Sequence, residues 1–509
     1  MITLPIDSHL KQITHLLNKN SSLVLTASPG SGKTTRFPAH LLKTLLPEQN
    51  KKIIVIVPKR VSAVSAADRI AQENNWSLGT EVGYQVRFES KISTKTQLIF
   101  MTEGVFLKRI QNTLSENSVD FWSEIHTLII DEFHERSTSI DIILGLAYEQ
   151  KILGRNFNLT VMSATLNADQ IKNYLETCDH YDIQAPPHKL EVFYSDKTQR
   201  LMCDDQFYTQ LKDTLVKAWK TAKKDILVFL PGQHEINYFR SVIQPLFPQT
   251  QIETLHGSIS LADQKRIVKS APDTNRRIIL STNVAESSLT ISGLDCVIDS
   301  GLEKSAYTEP KVGFSGLSLQ RISLFSATQR AGRAAREQNG FCFKLWHPTD
   351  ERSMKEQIEP EVLTSTLIEE CLLLYGQDIQ DISKFSWLTQ PPKNTIKTAQ
   401  SKLLNWKLID TKNNLTPLAK LIIHWPLSLQ NSILHYYLSL GGFKVFSAKL
   451  IAHIENGTLD LILKQDQSHT PDLEKIINFK DQNHSFKTEQ IIKTEKQILG
   501  LPVTTLDKT

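Results

Sequence analysis

The sequence has few cysteines for its length. Only five occur among 509 residues (Cys178, Cys203, Cys296, Cys342 and Cys371), and none belongs to a CxxC pair. Zinc ribbons and disulfide frameworks need cysteines in closely spaced pairs or sets. The cysteine pattern therefore argues against both, and it favours a reducing, cytoplasmic setting.

The sequence also lacks any apolar run of 18 or more residues, and its densest run, IIVIV at 53–57, has the length of a strand. A membrane-spanning helix needs about 20 predominantly apolar residues, so we expect none. We also expect no signal peptide, because Pro5, Asp7 and His9 interrupt the apolar residues near the N-terminus and no basic residue precedes Lys11.

The sequence also has little excess of one charge over the other. Lysine and arginine number 58 and aspartate and glutamate 54, which leaves a formal net charge of only +4. This balance excludes a histone-like binder that holds nucleic acid through its overall charge, but it leaves open a nucleic-acid enzyme with a local basic track. With 40% apolar residues the chain can form ordinary globular cores, and its length suggests roughly three to four domains.

The strongest local pattern begins at Ser22. The segment SLVLTA (22–27) predicts a short buried strand, SPGSGKTT (28–35) a glycine-containing turn, and the apolar periodicity that follows predicts a helix to about Leu46. A strand, a loop that carries Gly-Lys-Thr and a helix form the context of a phosphate-binding P-loop. One difference is Ala27, which replaces the first glycine of the usual pattern.

The chemistry of phosphate binding explains why such a loop has this composition. Backbone N–H groups at the start of a helix point towards a phosphate and meet it with the positive end of the helix dipole. Lys33 would neutralise charge on the β- and γ-phosphates, and the hydroxyl group of Thr34 would hold Mg²⁺. The residues expected to bind the nucleotide phosphates are Gly30, Ser31, Gly32, Lys33, Thr34 and Thr35.

Two adjacent carboxylates end a second apolar strand. The segment TLIIDEFHERS (127–137) places Asp131 and Glu132 at the carboxyl end of this strand, where α/β proteins form ligand sites. A P-loop enzyme needs one carboxylate to hold Mg²⁺ and another to activate the attacking water, and we assign these roles to Asp131 and Glu132 respectively. His134 has no paired His or Cys near it in the sequence, so a hydrogen-bonding role is favoured over a metal role.

Several short segments follow one another in a recognisable order. The main ones are ASPGSGKTT (27–35), DEFH (131–134), MSATL (162–166) and QRAGRAAR (329–336). The others are VPKR (57–60), VGYQVRFES (82–90), MTEG (101–104), LVFLPG (227–232), LHGSIS (255–260), STNVAESSLTI (281–291) and VIDSG (297–301). Together they resemble the motifs of DEAH-type superfamily 2 helicases. DEFHERS and the alanine that opens the P-loop are more similar to the bacterial HrpB-like branch of that family.

The resemblance implies an α/β fold with two tandem RecA-like P-loop lobes, each a parallel sheet flanked by helices, followed by a winged-helix and a helical domain. Strand–helix alternation occurs twice along the chain, in agreement with two such lobes. We expect the lobes at 1–185 and 186–355, the winged helix at 356–425, and a partial, ratchet-like helical domain with a polar tail at 426–509. HrpB-like proteins usually continue further, so the chain is expected to be short for its family, either naturally or by truncation.

In this family the ATP site is divided between the lobes. The resemblance assigns Arg333 and Arg336 as arginine fingers, and Gln329 as the sensor of the γ-phosphate or of the attacking water. An arginine finger can supply about 10³–10⁵ in rate. The residues implied to couple the DEFH turn to the second lobe are His134, Ser163 and Thr165.

The resemblance says less about nucleotide choice. The family holds the base between an arginine of the first lobe and an aromatic residue that follows VIDxG. Arg69 is the expected first partner, but Leu302 occupies the second position and is not aromatic. The expectation is therefore loose base selectivity, with ATP as the default nucleotide and other nucleoside triphosphates tolerated.

A nucleic-acid track is also implied by the resemblance. The residues placed along it are Pro58, Arg60, Thr102, Glu103, Gly104, His256, Gly257, Thr282 and Asn283. Hydroxyl groups, backbone N–H groups and arginine suit contacts to phosphate and ribose, which position a strand without reading its sequence. The stretch 305–325 alternates in polarity and contains glycine turns, which predicts the β-hairpin that DEAH-type enzymes use as a wedge.

The sequence thus predicts an ATP-dependent RNA helicase of the DEAH/HrpB-like type, acting in the cytoplasm with ATP and Mg²⁺ and expected to be monomeric. Its RNA would be single-stranded or a tailed duplex, bound without regard to sequence. Two alternatives stay open: a nucleotide-dependent clamp that binds RNA or RNA–protein complexes without unwinding, and a DNA translocase. The choice between RNA and DNA depends on contacts to the 2′-hydroxyl group, which motifs do not reveal.

Overall fold

The structure, a computed structural model, describes most of the chain between Thr3 and Asn456. The described residues are 3–28, 30–44, 51–87, 89–112, 120–164, 168–184, 188–257, 259, 261–268, 276–286, 291–308, 315–425 and 427–456. By their contacts the residues form two compact units. The first consists of Met1–Phe106, Trp122–Ser365 and Ser386–Pro391, and the second of Leu107–Phe121, Thr366–Phe385 and Pro392–Thr509.

Lobe one of the first unit is built on a mainly parallel sheet. Its strands are β1 (Ser22–Ala27), β2 (Lys52–Val57), β3 (Val82–Val86), β4 (Glu89–Lys91), β5 (Leu98–Thr102), β6 (Ile125–Ile130), β7 (Asn158–Ser163) and β8 (Asp179–Ile183). Their order is β4-β3-β5-β2-β6-β7-β1-β8, with β3 and β4 antiparallel and the other described neighbours parallel. The central strands are continuous apolar runs because both faces of a parallel sheet are covered by helices.

Helices and short 3-10 turns connect these strands. The helices are α1 (Leu10–Asn20), α2 (Lys33–Thr44), α3 (Arg60–Asn74), α4 (Glu103–Asn112), α5 (Thr138–Ile152) and α6 (Ala168–Leu175). The side chain of Ser137 caps α5 by accepting a hydrogen bond from the N–H of Ile140. Because β6, β7 and β1 are neighbours, the loops after them meet at one carboxyl edge of the sheet.

Lobe two of the first unit repeats this plan with a second parallel sheet. The strands that follow along the chain are β9 (Leu190–Tyr194), β10 (Asp225–Phe229), β11 (Gln251–Leu255), β12 (Arg277–Ser281), β13 (Leu294–Asp299), β14 (Leu302–Thr308), β15 (Ser315–Arg321) and β16 (Gly340–Lys344). The sheet order is β11-β12-β10-β13-β16-β9. The helices of this lobe are α7 (Asp205–Thr221), α8 (Gln233–Ile243), α9 (Leu261–Val268) and α10 (Leu324–Ala331).

The core of lobe two also includes a residue from lobe one. Each face of the second sheet carries a buried apolar cluster, one containing Ile226 and Phe239 and the other containing Phe229 and Ile279. Val61 of α3 belongs to the latter cluster. The start of α3, which follows the VPKR segment, therefore packs against lobe two.

Strands β14 and β15 form an antiparallel hairpin separate from the main sheets. They pair from Leu302 opposite Arg321 to Thr308 opposite Ser315. The structure confirms the hairpin predicted within 305–325, although it begins three residues earlier. Its tip, 309–314, lies outside the described residues.

The second unit is helical in its described part. Its helices are α11 (Ile368–Gly376), α12 (Lys393–Asn405), α13 (Pro417–Ile422), α14 (Leu429–Leu440) and α15 (Lys444–Asn456). An isolated antiparallel bridge joins Ile409 to Leu415 between α12 and α13. The winged helix expected at 356–425 and the helical domain expected at 426–509 stay predictions. In the described ranges, no helix has the length and apolar composition needed to cross a membrane.

Candidate active site

The predicted P-loop lies between β1 and α2. Gly30 and Gly32 have φ angles of +84° and +94°, a left-handed conformation that glycine adopts without strain. Ala27 is the last residue of β1 and is buried in the sheet. Because this position is an ordinary strand position, alanine replaces the usual glycine here without backbone strain.

The polar groups of this loop fit a phosphate and a metal ion. The hydroxyl group of Ser31 is buried and has no hydrogen-bond partner among the described residues, so it is available to a ligand. The Thr34 hydroxyl donates a hydrogen bond to Asp131 Oδ2 at 2.5 Å. The hydroxyl oxygen of Thr34 and the carboxylate oxygen of Asp131 belong to the class of ligand that Mg²⁺ prefers. Lys33 is buried and lies 3.5 Å from Glu132 Oε2, where an anionic phosphate would compete for its charge.

The two carboxylates after β6 are held in different ways. The N–H of Asp131 donates to the carbonyl of Ile56 at 2.9 Å, and the N–H of Glu132 donates to Asp131 Oδ1 at 2.8 Å. Glu132 itself has a φ of +53°. This conformation is uncommon for a residue other than glycine, and such strain is often found at functional sites.

Their surroundings shift the two pKa values in opposite directions. Burial, together with the neighbouring charge of Glu132, raises the pKa of Asp131. Burial also acts to raise the pKa of Glu132, but the attraction of Lys33, with smaller contributions from His134, Arg333 and Arg336, lowers it below its usual range. Paired groups whose environments separate their pKa values are typical of catalytic sites.

His134 contacts residues of both lobes. Its Nδ1 atom lies 3.2 Å from the Ser163 hydroxyl and 3.5 Å from Glu132 Oε2. Its ring centre is 5.1 Å from that of Phe325 at the start of α10 in lobe two. Burial lowers the pKa of His134, so a neutral imidazole is favoured. Its hydrogen-bonding environment agrees with the predicted role, whereas Thr165 lies outside the described residues.

The QRAGRAAR segment forms α10 and the turn after it, and its arginines have different environments. Arg330 is 1% exposed and donates to Glu286 Oε2 at 2.8 Å and to Asp299 Oδ1 at 3.1 Å. It also contacts the carbonyl of Leu302 at 3.3 Å and lies 3.8 Å from Glu303. Arg330 is therefore a structural residue that joins α10 to the base of the hairpin.

Arg333 and Arg336 come next along the same segment. The side chain of Arg333 donates to the backbone carbonyl of Glu286, with its Nε at 2.9 Å. Burial, together with the charge of Arg336, lowers the pKa of Arg333 well below its ordinary value, and burial lowers that of Arg336 to about 10. Two buried cations side by side favour the binding of an anion. Gln329 is buried on α10, which precedes these two arginines.

The two residues expected beside the nucleotide base differ in their exposure at the protein surface. Arg69 lies on α3, half-exposed, with its Nε 2.9 Å from Glu73 Oε1. Glu73 also lies 3.7 Å from Arg36, which follows the P-loop. Leu302 is fully buried in the core of lobe two and offers no surface for stacking. The structure thus gives no aromatic partner at this position, in line with the loose base selectivity expected from the sequence.

The predicted nucleic-acid residues gather at the carboxyl edges of the two sheets. Val57 pairs with Thr102, so Pro58 and the segment Thr102–Gly104 follow neighbouring strands. Leu255 pairs with Ser281 in lobe two, so the residues His256–Gly257 and Thr282–Asn283 again follow neighbouring strands. The exposed members are Arg60, Gly104, Gly257 and Asn283.

Two members of that set are less accessible than the sequence suggested. The side chain of His256 is buried. Glu103 accepts a hydrogen bond from the Ser137 hydroxyl at 2.7 Å, and burial raises its pKa to about 7. Their contacts with a strand stay predictions.

Sequence reasoning missed residues that position the site. Glu286 contacts both Arg330 and Arg333, although it lies within a segment already recognised as a motif. Glu361 accepts a hydrogen bond from the N–H of Thr138 at the start of α5. Ile6 donates its N–H to the carbonyl of Ser31 in the P-loop. The local sequence around each of these residues carries no signal for a contact with a residue that is distant along the chain.

The described residues contain no group of three or more His, Cys, Asp or Glu side chains arranged to hold a metal ion. The oxygens of Thr34 and Asp131, 2.5 Å apart, are groups that could hold Mg²⁺ together with a bound nucleotide.

Two protein families match separate parts of this chain. The family described as DEAD/DEAH box helicase matches residues 8–174, and the one described as Helicase conserved C-terminal domain matches residues 207–338. The two matched ranges fall within the two lobes.

Relatives and solved structures cover more of the chain. It is 33% identical over 439 residues to the pre-mRNA-splicing factor ATP-dependent RNA helicase prp22 of Schizosaccharomyces pombe, a match to 84% of this chain and 37% of that protein. It is 32% identical over 427 residues to the ATP-dependent RNA helicase HrpA of Borreliella burgdorferi, covering 83% and 51%. The crystal structure of the Escherichia coli DEAH/RHA helicase HrpB has a TM-score of 0.83 at 27% identity, covering 98% of this chain and 61% of that one.

These matches bear on the fold and on the extent of the chain. Both lobes have the RecA-like helicase fold, as expected from the sequence. The chain spans 37% and 51% of the lengths of the two relatives.

Proposed function

Since this chain belongs to the DEAH-type helicases of superfamily 2 and is HrpB-like in structure, we propose that it is an ATP-dependent RNA helicase. ATP is hydrolysed in the cleft between the lobes, and hydrolysis moves a single strand of RNA stepwise across them. The movement separates duplexes or remodels RNA–protein complexes. We place this reaction in the cytoplasm, with a monomeric protein and Mg²⁺ as the metal ion.

The observation that carries the proposal is that groups of both lobes meet at one site, where the ring of His134 in lobe one lies 5.1 Å from the ring of Phe325 in lobe two. Glu132 belongs to lobe one, and Arg333 and Arg336 belong to lobe two, yet both arginines lower the pKa of Glu132. A nucleotide bound at Lys33 would have its γ-phosphate between these groups. Because such a site needs both lobes, ATP favours the closed cleft, and the products favour it less.

Binding of ATP would also release the catalytic carboxylate. Without nucleotide, Lys33 is the strongest attraction that keeps the pKa of Glu132 low. A phosphate that takes over the charge of Lys33 removes this attraction, so the basicity of Glu132 rises when water must be activated. His134, held by Ser163, would then orient the Glu132 carboxylate.

The other groups act on developing charge. Arg333 and Arg336 stabilise the loose transition state of phosphoryl transfer, and Gln329 positions the γ-phosphate or the water. Mg²⁺, held by Thr34 and Asp131, supplies charge neutralisation on the phosphates when it is bound. Arg69 contacts the base from one side only, which leaves base selectivity loose.

The strand would lie along the two carboxyl edges described above. Exposed groups there, such as Arg60 and Asn283, suit contacts to phosphate and ribose that carry no sequence information. The hairpin of β14 and β15 is the proposed wedge. Its base is joined through Arg330 to α10, the helix that precedes the turn with the arginine fingers.

The experiment that tests the proposal measures ATP turnover and strand separation on RNA and DNA duplexes with single-stranded tails. We expect RNA to stimulate turnover and the tailed RNA duplex to separate, with Lys33→Ala inactive in both assays. Stimulated turnover without separation would instead favour the clamp. Equal use of DNA would favour a DNA translocase, and a lack of turnover in the parent protein would contradict the proposal.

A further inference from the structure

A short turn before the first helix lies directly against the P-loop. Residues Pro5–Ser8 form a 3-10 helix, and the N–H of Ile6 donates a hydrogen bond to the carbonyl of Ser31 at 3.1 Å. The N–H of Ser31 donates in turn to the carbonyl of Ser28 at 3.2 Å. The backbone of Ser31 is therefore held from both sides.

The same turn, together with Leu4 directly before it, packs against Gly32. A Cβ atom built on Gly32 would lie 2.8 Å from Leu4 Cδ1 and 3.0 Å from Ile6 Cγ2. Ile6 is fully buried, and Leu4 packs against the same core. These two apolar side chains leave no room for the loop to move in their direction.

The turn is itself stabilised by a polar side chain. Asp7 Oδ2 accepts a hydrogen bond from the N–H of Leu4 at 2.8 Å. Asp7 Oδ1 lies 3.9 Å from Arg36 Nε, on the helix that the P-loop opens. The turn thus contacts both the loop and the first part of α2.

Such support matters because the loop is costly to order. Gly30 and Gly32 both have positive φ angles, and glycine loses more conformational freedom on ordering than any other residue. If the loop were mobile before nucleotide bound, binding would have to supply this ordering free energy. A loop already fixed by the turn binds phosphate with that cost removed.

We propose that the turn Leu4–Asp7 is a positioning element that holds the P-loop in its phosphate-binding conformation, with Ile6 as its central residue. The inference rests on the nucleotide-binding role proposed above. It adds residues that lie before every motif recognised in the sequence. The contacts of the turn described above are with the phosphate loop and Arg36, so we expect its effect to be the same for nucleotides with different bases.

The test compares Ile6→Ala with Ile13→Ala. Both isoleucines are fully buried in the core of lobe one, so both variants lose similar packing and should show similar falls in melting temperature. Equilibrium binding of labelled ATP, GTP and ADP is then measured on the full chain without RNA. We expect Ile6→Ala to raise all three dissociation constants by the same factor, roughly 3- to 10-fold, because a P-loop no longer packed against the Ile6 side chain must be ordered when the nucleotide binds.

Two further variants keep the test decisive. Ile6→Val should restore most of the affinity, because it keeps the branched side chain over Gly32. Asp7→Asn, at a partly exposed position, should weaken the binding of all three nucleotides by a smaller factor even if Ile6→Ala does not fold. Unchanged affinity in Ile6→Ala or Asp7→Asn, or an equal loss in Ile13→Ala, would overturn the inference. Failure of the parent protein to bind any nucleotide would instead overturn the proposed function.

Discussion

The two lobes share one sheet plan but arrange their charges differently. In lobe one the site residues pair with each other: Lys33 lies against Glu132, and Thr34 is bonded to Asp131. In lobe two, one arginine is enclosed by acidic groups, and the next two along the chain lie close enough to Glu132 to lower its pKa.

This difference separates what each lobe contributes. Lobe one can bind a nucleotide by exchanging its internal pairs for pairs with phosphate, which is a nearly balanced exchange of charge. Lobe two holds Arg333 and Arg336 as adjacent buried cations whose pKa values burial lowers, so an anion that binds beside them stabilises their charged forms. We therefore expect lobe one to supply most of the nucleotide affinity and lobe two to supply the charge that stabilises the transition state.

The largest effect on turnover should come from removing one of the two arginine fingers of lobe two. Arg336→Ala is expected to reduce RNA-stimulated turnover by about 10³-fold or more, because an arginine finger stabilises the transition state. Binding of ATP should change little, since the phosphate loop is untouched. Turnover assays and equilibrium ATP binding measure the two effects. Arg240→Ala, an exposed arginine in the same lobe, serves as the control, and near-normal turnover in Arg336→Ala would remove lobe two from catalysis.

Removing the carboxylate of lobe one should have the next largest effect. Glu132→Gln keeps the shape of the side chain but cannot accept a proton, so turnover should fall by about 10²-fold or more. Its ATP affinity should be kept or increased, because Lys33 no longer has an anionic partner within the protein. Single-turnover hydrolysis and ATP binding check both expectations. If turnover were unaffected, Glu132 would not be the group that activates water.

A smaller, structural effect should distinguish Arg330 from its neighbours. Arg330→Met would leave Glu286, Asp299 and Glu303 without their buried cation, at a cost of about 3–5 kcal/mol in the stability of lobe two. Thermal unfolding of the full chain, followed at its first transition, measures this loss. Arg240→Met is the matched control at an exposed position. A melting temperature like that of the control would show that Arg330 is not structural.

Much of this arrangement could be predicted from short segments of sequence. The P-loop, the DEFH carboxylates and the hairpin all depend on local order along the chain, so a strand, a turn and a helix are enough to recognise them. The adjacency of Pro58 and Thr102 follows from parallel strands whose carboxyl ends meet at one edge.

The rest depends on contacts between distant residues. Arg330 and Arg333 are separated by three positions in one motif, and nothing local shows that one is enclosed by carboxylates while the other lies near Glu132. The burial of Leu302 follows from how β14 packs on lobe two. Ile6 reaches Ser31 only because α1 and β1 bring the N-terminal turn back to the P-loop.

The central claim is that one catalytic site is shared by both lobes, and a double-mutant cycle between Glu132 and Arg336 tests it most directly. RNA-stimulated turnover is measured for the parent protein, Glu132→Gln, Arg336→Ala and the double variant. Residues that act on one transition state are strongly non-additive, so the double variant should be about as slow as the slower single variant. A double variant slowed by the product of the two single factors would show that the lobes act independently, and it would contradict the shared site.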